Sequence, residues 1–295
     1  MKKQIKILVT GASGMLGNKI ISELSNSDYQ SLGISKKNTH TINNTIIKKC
    51  DITNYKQLKK IFDAFKPNII IHTASITGNI ECEENPEKTF LVNCLGTFNI
   101  LNLMKKNGAK IIFCSSREVY GNSKKKVTEK DLEFPINLNG ITKITSENLI
   151  KKFHQTYNVQ YVILRFTNFY GDLNSKRGIS LMIKNAIKNK QVTIYGGKQI
   201  LNLLHIDDAV KAILLSIKYK NSNTFNIGSD EKTTLPKLIK IIENNINQKI
   251  KINKKNARVI EPQKFVINIK KAKNELGFTP NFTLDLGIKK LVKEI

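Results

Sequence analysis

The chain has 295 residues, enough to bury a sizeable core as one large domain or as a large and a small one. Its formal net charge of +26 comes from lysines spread along the whole sequence amid abundant Ile and Asn, with few arginines. That spread reads as compositional bias with a general attraction for anionic ligands, and it argues against a nucleic-acid-binding face. Cys50, Cys82, Cys94 and Cys114 are scattered, with no Cys-x-x-Cys pair and no His at ligand spacing, so reduced core thiols are expected and no metal site. No apolar run is long enough to span a membrane and no secretory signal is evident, which gives the expectation of a cytoplasmic protein without a membrane partner.

The first readable element is Ile5 to Val9, an apolar β-branched run that predicts a buried strand. It breaks at Gly11, and Met15, Leu16, Ile20, Ile21 and Leu24 then repeat at helical spacing to about Ser27. A strand, a glycine-rich turn and a helix N-terminus form an anion site, because free backbone N–H groups and the helix dipole point at one spot. Gly11 suits a tight turn, Gly14 the close approach of a pyrophosphate, and Gly17 helix–strand packing. Gly11, Gly14, Met15, Leu16 and Gly17 are therefore the first cofactor-binding candidates.

The spacing Thr10-Gly11-x-x-Gly14-x-x-Gly17 resembles that of the extended short-chain dehydrogenase/reductases acting on nucleotide sugars, the epimerase/dehydratase/4-ketoreductase group. The resemblance implies an α/β fold: a doubly wound, parallel Rossmann-type sheet over about 1–170, and a smaller α/β substrate lobe drawn mainly from 171–295, some of whose elements return to the first domain. It also implies a nicotinamide cofactor, a nucleotide-sugar substrate and a homodimer paired through helices starting near Pro86 and Asn139.

Next in order, Gln30 to Ile34 reads as the second strand, whose end meets the adenosine ribose in this fold. Ser35-Lys36-Lys37 stands there in place of an acid, and a hydroxyl with two cations favours a 2′-phosphate, hence NADP(H) ahead of NAD(H). Ile46-Ile47 is a short third strand, ending at Cys50-Asp51-Ile52. The resemblance sets Asp51 and Ile52 against the adenine, while Asp51 or Thr53 is also a candidate N-cap for the helix Tyr55 to Phe65.

Pro67 ends that helix, and Asn68 to Ser75 reads as a central parallel strand whose small terminal residues Thr73, Ala74 and Ser75 let backbone approach a cofactor. His72, inside the strand, is expected to be a packed strand-end histidine. A long helix from about Pro86 to Lys106 carries Asn93, which the resemblance makes a brace for the cofactor region. Its Gly96 is open to a second reading as a packing notch.

Lys110 to Ser116 is an apolar strand running into Ser115-Ser116-Arg117-Glu118-Val119-Tyr120-Gly121, followed by Lys124-Lys125-Lys126, a solvated loop. By resemblance Ser116 binds the reacting sugar oxygen, as a hydroxyl that can donate and accept, and Ser115 is structural. About twenty residues on, the family places Tyr-x-x-x-Lys on one helix face, the Lys holding the nicotinamide ribose and lowering the tyrosine pKa. Here Gly140, Thr142, Lys143 and Glu147 match, but the tyrosine position is Asn139. An amide can orient a carbonyl and cannot serve as acid or base near neutral pH. Three readings follow: another group such as Tyr120, a water or a substrate hydroxyl moves the proton; the protein binds nucleotide with little or no turnover; or the change inactivates it. Ser116, Lys143 and Asn139 are the catalytic candidates.

Gln160 to Phe166 predicts the sixth strand, with Phe166 at its cofactor end. Thr167-Asn168-Phe169-Tyr170-Gly171 resembles the family's Arg-x-x-Asn-x-Tyr-Gly with Arg165, which makes Asn168 a substrate residue; an Asx turn is the plainer reading. A helix near Ile179 to Lys188 and a strand Val192 to Tyr195 follow. In His205-Ile206-Asp207-Asp208 an aspartate reads as the N-cap and His205 as structural. Leu201 stands where many relatives carry a diphosphate-clamping Arg, whereas Arg258 in Ala257 to Gln263 resembles a second clamp. The reaction implied is hydride exchange with a sugar carbon, leaning to 4-keto sugar reduction by NADPH, with an NAD-dependent epimerase or dehydratase and a non-catalytic dinucleotide sensor as alternatives.

Overall fold

The computed structural model describes residues 4–123, 125–175, 178–261 and 265–294. Eight strands make one sheet: β1 (Lys6–Thr10), β2 (Gln30–Ser35), β3 (His40–Ile42), β4 (Thr45–Lys49), β5 (Ile69–His72), β6 (Lys110–Ser116), β7 (Gln160–Phe166) and β8 (Asn223–Ile227). Their order is β8-β7-β6-β5-β1-β2-β4-β3, all parallel except the edge strand β3. The chain runs outward from β1 in one direction, then crosses to β5 and runs outward in the other. That reversal between β1 and β5 opens a crevice at the strands' carboxyl ends, where ligands bind in open α/β sheets.

Successive residues of a strand face opposite sides, so an unbroken apolar run feeds two cores. Ile7, Val9, Ile71, Ile112 and Val162 pack on one face with Ile20, Ile21 and Leu24 of the first helix, Met15–Ser25. Leu8, Ile70, Ile111, Phe113 and Ile163 pack on the other with Leu58, Phe62, Ile100 and Leu101. Cys50, Cys82, Cys94 and Cys114 are all free and buried.

A third core joins Ile179 and Ile183 of the helix Gly178–Ile187, Leu238 and Ile242 of the helix Leu235–Ile246, and Leu284 and Ile288 of the helix Leu284–Lys293. The last third is not confined to this lobe. The helix Ile206–Lys218 and β8 belong to the main sheet, and Phe265, Ile267, Ile269, Leu276 and Phe278 are buried in its first core. Val266–Ile267 pairs with Lys126–Val127. Lys124, Pro262 and Gln263, named above in two loop readings, lie outside the described residues.

Four local features differ from the sequence reading. Thr45–Lys49 is half of a hairpin with His40–Ile42, turned by Asn43 and Asn44 at φ 43° and 65°. Two consecutive left-handed residues are what a tight hairpin turn requires, and Asn tolerates them. The helix Tyr55–Phe65 is capped by Asn54, whose side chain accepts from Gln57 N, and not by Asp51 or Thr53. The helix Ile206–Lys218 is capped by the His205 ring, which accepts from Asp207 N at 3.3 Å. Asp208 instead accepts from Asn281 N and Phe282 N, tying the C-terminal loop down. Finally, the long helix from Pro86 holds a wide turn at Leu91–Leu95 before continuing as Gly96–Met104. A Cβ at Gly96 would fall on the Ile52 side chain, so the notch there receives a loop residue.

Candidate active site

Strand register lines up the sequence candidates. Thr10 pairs with Ile34 and with His72, and Ser116 with Phe166, so the ends of β1, β2, β5, β6 and β7 share one edge. At β1 the turn is held tight: Gly11 has φ +68°, and a Cβ there would meet the Ala74 backbone at 2.7 Å. A Cβ at Gly17 would fall on the Gly11 carbonyl oxygen, so the helix can approach the strand this closely only as glycine. The helix Met15–Ser25 starts at Gly14 with no side-chain cap and no acid in its first turn. Its amide end, with Met15 and Leu16, is free of competing carboxylates and suits an anionic phosphate. These residues fit a dinucleotide.

At the end of β2, Ser35 is buried and accepts hydrogen bonds from the Ser13 hydroxyl at 2.8 Å and from Lys37 N. Lys36 forms a 2.9 Å ion pair with Asp51. Burial alone would push the Asp51 carboxyl up, but Lys36 and the two bonds from Thr53 hold it below the usual range. Lys36, one of the two cations expected to meet a 2′-phosphate, is thus paired with the neighbouring acid.

Beyond β5, a chain of hydrogen bonds links the cofactor edge to Asn93. Ala74 N donates to Thr10 Oγ1, which lies 2.7 Å from His72 Nδ1; His72 Nε2 lies 3.0 Å from Thr97 Oγ1, which donates to Asn93 O. Because the Thr97 proton goes to a carbonyl, Nε2 must donate, and in a neutral ring Nδ1 then accepts from the Thr10 hydroxyl. Complete burial pushes the His72 pKa down to about 3, in agreement. His72 is structural, as expected. The Asn93 side chain accepts from Ser75 Oγ and Ile76 N and donates to Ile76 O and to Thr142 Oγ1. It therefore joins the loop after β5 to the helix Leu138–Tyr157.

That helix is capped by Asn137, which accepts from Gly140 N. Asn139 and Lys143 lie one turn apart on it, both buried. Lys143 Nζ donates to Cys114 O at 2.8 Å, two residues before Ser116, and burial lowers its pKa to about 8. Ser116 stays partly exposed and caps the short turn Arg117–Tyr120 by accepting from Glu118 N. Asn139 Nδ2 donates to Asn79 Oδ1 at 3.3 Å, while Asn139 Oδ1 is buried with no hydrogen-bond partner among the described residues.

Tyr120 does not stand in for the absent tyrosine. Its hydroxyl is buried, donates to Asn226 Oδ1 and accepts from Arg165 Nη1, both at 2.7 Å, and burial raises its pKa well above the usual phenol.

Four groups at the site, Glu118, Arg117, Asn137 and Asn79, were not foreseen from the sequence. Glu118 is buried beside the site, paired with Arg117 at 2.9 Å; its Oε2 accepts from Asn137 Nδ2 at 2.7 Å and from Asn79 Nδ2. Asn137 and Asn79 also donate to Ile260 O, in the turn that carries Arg258. Arg117 Nε in turn reaches Asn168 Oδ1 at 3.5 Å. Ser116, Asn139 and Asn168 are thus linked through Glu118, Asn79 and Arg117, Lys143 meets the same strand end at Cys114 O, and Arg258 stacks 3.5 Å over the Tyr195 ring and pairs with Glu261. Asn168 opens the strand Asn168–Tyr170, which pairs with Leu203–His205, so it begins an element and does not close a turn. The signal for Glu118 was present as a carboxylate two residues after Ser116 on the same strand end.

A doubly wound sheet, a glycine-cradled helix N-terminus and a lysine delivered to the end of β6 define a dinucleotide-binding enzyme fold, beside which a third core marks a smaller lobe. Residues 7–228 match the NAD dependent epimerase/dehydratase family. The chain is 33% identical over 298 residues to a putative UDP-glucose 4-epimerase of Methanocaldococcus jannaschii, with 97% of each chain covered. It superimposes on the UDP-glucose 4-epimerase of Thermotoga maritima, solved with UDP-glucose, at TM-score 0.93 and 26% identity over 98% of both chains. The UDP-glucuronic acid 4-epimerase of Bacillus cereus, solved with UDP-glucuronic acid and NAD, gives TM-score 0.91 and 26% identity over 98% of this chain and 99% of that one. The chain belongs to the NAD-dependent epimerase/dehydratase family of nucleotide-sugar enzymes. Among the described residues no helix is long and apolar enough to cross a membrane, and no cluster of His, Cys, Asp or Glu could hold a metal.

Proposed function

We propose that the protein is an NAD-dependent 4-epimerase-type enzyme of UDP-linked sugars, a reading that sets the sequence's lean towards NADPH and 4-keto reduction in second place. The observation that carries it is Lys143, a buried ammonium delivered to the carboxyl end of β6 beside Ser116. Similarity to two 4-epimerases solved with UDP-sugars supports the substrate class. The Lys36–Asp51 ion pair engages one of the two cations read for a 2′-phosphate, and similarity to a 4-epimerase solved with NAD supports NAD.

In this reading Gly11, Gly14, Met15, Leu16 and Gly17 hold the pyrophosphate, Asp51 and Ile52 the adenine, Thr73, Ala74, Ser75 and Phe166 the inner edge of the cofactor, and Lys143 the nicotinamide ribose. Bound there, the nicotinamide supplies reversible two-electron oxidation of a sugar carbon. Ser116 binds the reacting sugar oxygen, Asn168 contacts the sugar, and Arg258 meets the diphosphate once it leaves Tyr195. Asn139 cannot carry the proton, so turnover is slow unless the substrate or water moves it.

The test is UDP-glucose/UDP-galactose and UDP-glucuronate/UDP-galacturonate interconversion by the NAD-loaded protein and its Asn139→Tyr variant. A gain of tenfold or more in the variant supports the reading. Absence of turnover in both would leave Asn139 as the mark of a second reading, a nucleotide-binding protein without chemistry. We also infer a homodimer, supported by the exposure of Phe90, Leu91, Leu95, Phe98 and Ile141 on the two neighbouring helices.

A further inference from the structure

The antiparallel hairpin at the sheet edge brings one residue back to the glycine-rich turn. His40 opens β3, and its half-buried ring lies with Nε2 3.2 Å from Ser13 Oγ and Nδ1 2.8 Å from Asn38 O. A carbonyl only accepts, so Nδ1 carries a proton. Ser13, between Gly11 and Gly14, already gives its one proton to Ser35 at 2.8 Å. Nε2 thus meets an oxygen with no proton left to offer, and the contact is a hydrogen bond only when Nε2 is protonated as well. The two bonds together require the imidazolium. Ser35, buried at the end of β2, accepts from Ser13 and from Lys37 N, which engages both of its lone pairs. Its own proton is the one capacity it has left, so in this state Ser35 is a donor.

Loss of the Nε2 proton reverses the chain. A neutral ring protonated at Nδ1 offers a lone pair at Nε2, so the Ser13 hydroxyl turns to His40 and Ser35 donates to Ser13 in its place. Ser35 then keeps one open lone pair and is an acceptor. We propose that His40 is a specificity-determining positioning residue: through Ser13 it sets Ser35 as donor or acceptor, and so sets which dinucleotide the end of β2 takes. A 2′-phosphate dianion has only acceptors to offer and is matched by the donor state. The 2′-hydroxyl of NAD can donate and is matched by the acceptor state. NAD is therefore favoured at and above neutral pH, and NADP gains on it in acid with uptake of a proton. This rests on the dinucleotide reading of the crevice and deepens it. The charged residues on the elements around His40 are Lys36 and Lys37 before it, Lys48 and Lys49 on β4, and Lys19 and Glu23 on the first helix, with Asp51 beyond. Lys36 is paired with Asp51 and Lys19 with Asp207. Among these side-chain types histidine is the one whose charge changes near neutral pH.

The experiment is calorimetric titration of the protein, freed of bound nucleotide, with NAD and with NADP at about pH 8 and about pH 6. Expected in the wild type is a shift of the affinity ratio towards NADP of roughly fivefold or more on acidification. The second ionisation of the phosphate itself, near about pH 6, works the other way, because protonation weakens it as an anion. His40→Leu should therefore show no shift, or one towards NAD. Ser13→Ala keeps the imidazole and cuts the relay, and the shift should vanish there too. A wild-type ratio that is flat or moves towards NAD, or NADP that fails to bind at about pH 6 while NAD binds, overturns the proposal. So does a shift that survives in His40→Leu, or one that survives in Ser13→Ala, where the imidazolium would be acting on the phosphate by charge alone. Failure of both dinucleotides to bind at either pH overturns the dinucleotide reading itself, and the proposal with it.

Discussion

Arg165 and Glu147 form a buried ion pair that spans two elements. The Arg165 Nε lies 3.0 and 3.1 Å from the two carboxylate oxygens and Nη2 lies 2.6 Å from one of them. Glu147 also accepts from the Ser115 hydroxyl at 2.6 Å, and Arg165 reaches Tyr120 and Glu133. Burial opposes the guanidinium charge, but Glu147 beside it more than restores it. The pair pins the helix of Lys143 and Asn139 to the end of β7. Removing Glu147 leaves Arg165 with the more exposed Glu133 alone, and removing Arg165 leaves the buried Glu147 with Lys151 at 3.6 Å, so Glu147→Gln or Arg165→Met should cost up to about 3–5 kcal/mol. The double variant Glu147→Leu with Arg165→Met should cost less than either alone. Urea denaturation of the four proteins checks this.

Tyr120→Phe keeps the ring and removes only the hydroxyl between Arg165 and Asn226. A loss of about 1–2 kcal/mol in stability is expected, with no shift in the pH dependence of any turnover, because that phenol does not exchange protons with substrate. A pH–rate profile altered by Tyr120→Phe would return Tyr120 to the list of proton donors.

Acid should unfold the protein early, and His72 sets the sign. Its folded pKa is about 3 against about 6.5 unfolded. Between those values the unfolded chain binds more protons, so stability falls as pH drops from about 6.5 towards 3, by on the order of 3–5 kcal/mol from this residue alone. His205, also pushed down to about 4 by burial, adds to the same slope. Thermal melts across that range should show the decline in the wild type and a shallower one in His72→Gln, whose amide can still donate and accept.

The exposed face of the paired helices predicts its own test. Phe98→Glu should convert a dimer to a monomer in sedimentation, because a charge at the centre of an apolar contact is costly to desolvate. A wild type that sediments as a monomer would end the homodimer proposal.

Much of the architecture was readable from the sequence because hydrophobic period and punctuation agree along it. The runs Lys6–Thr10, Tyr55–Phe65, Gln160–Phe166 and Val192–Tyr195 stand close to where pattern alone places them. The misreadings share a cause: each turned on which of several neighbouring polar groups wins a hydrogen bond. Asp51 and Thr53 lost the cap to Asn54 because Asp51 folds back on Thr53 and pairs with Lys36. His205 took the cap that Asp207 and Asp208 could each have made, because Asp207 is drawn off by Lys19 and Lys290. The hairpin at β3 hid in a polar stretch whose only sign was the pair Asn43-Asn44. The Lys36–Asp51 pair, fifteen residues apart, was likewise not readable from either residue alone. Long-range polar pairing of this kind, like the meeting of Asn79 with Asn139, leaves no periodic trace.

The return of residues 265–278 to the main core has an evolutionary corollary. The smaller lobe is made of three separated stretches of chain, interrupted by the helix Ile206–Lys218 with β8 and then by the segment around Phe265. A single recombination event between two relatives would therefore graft half of one core onto half of another. Ligand preference in such a chain can change by point substitution at the crevice far more readily than by transplantation of a module.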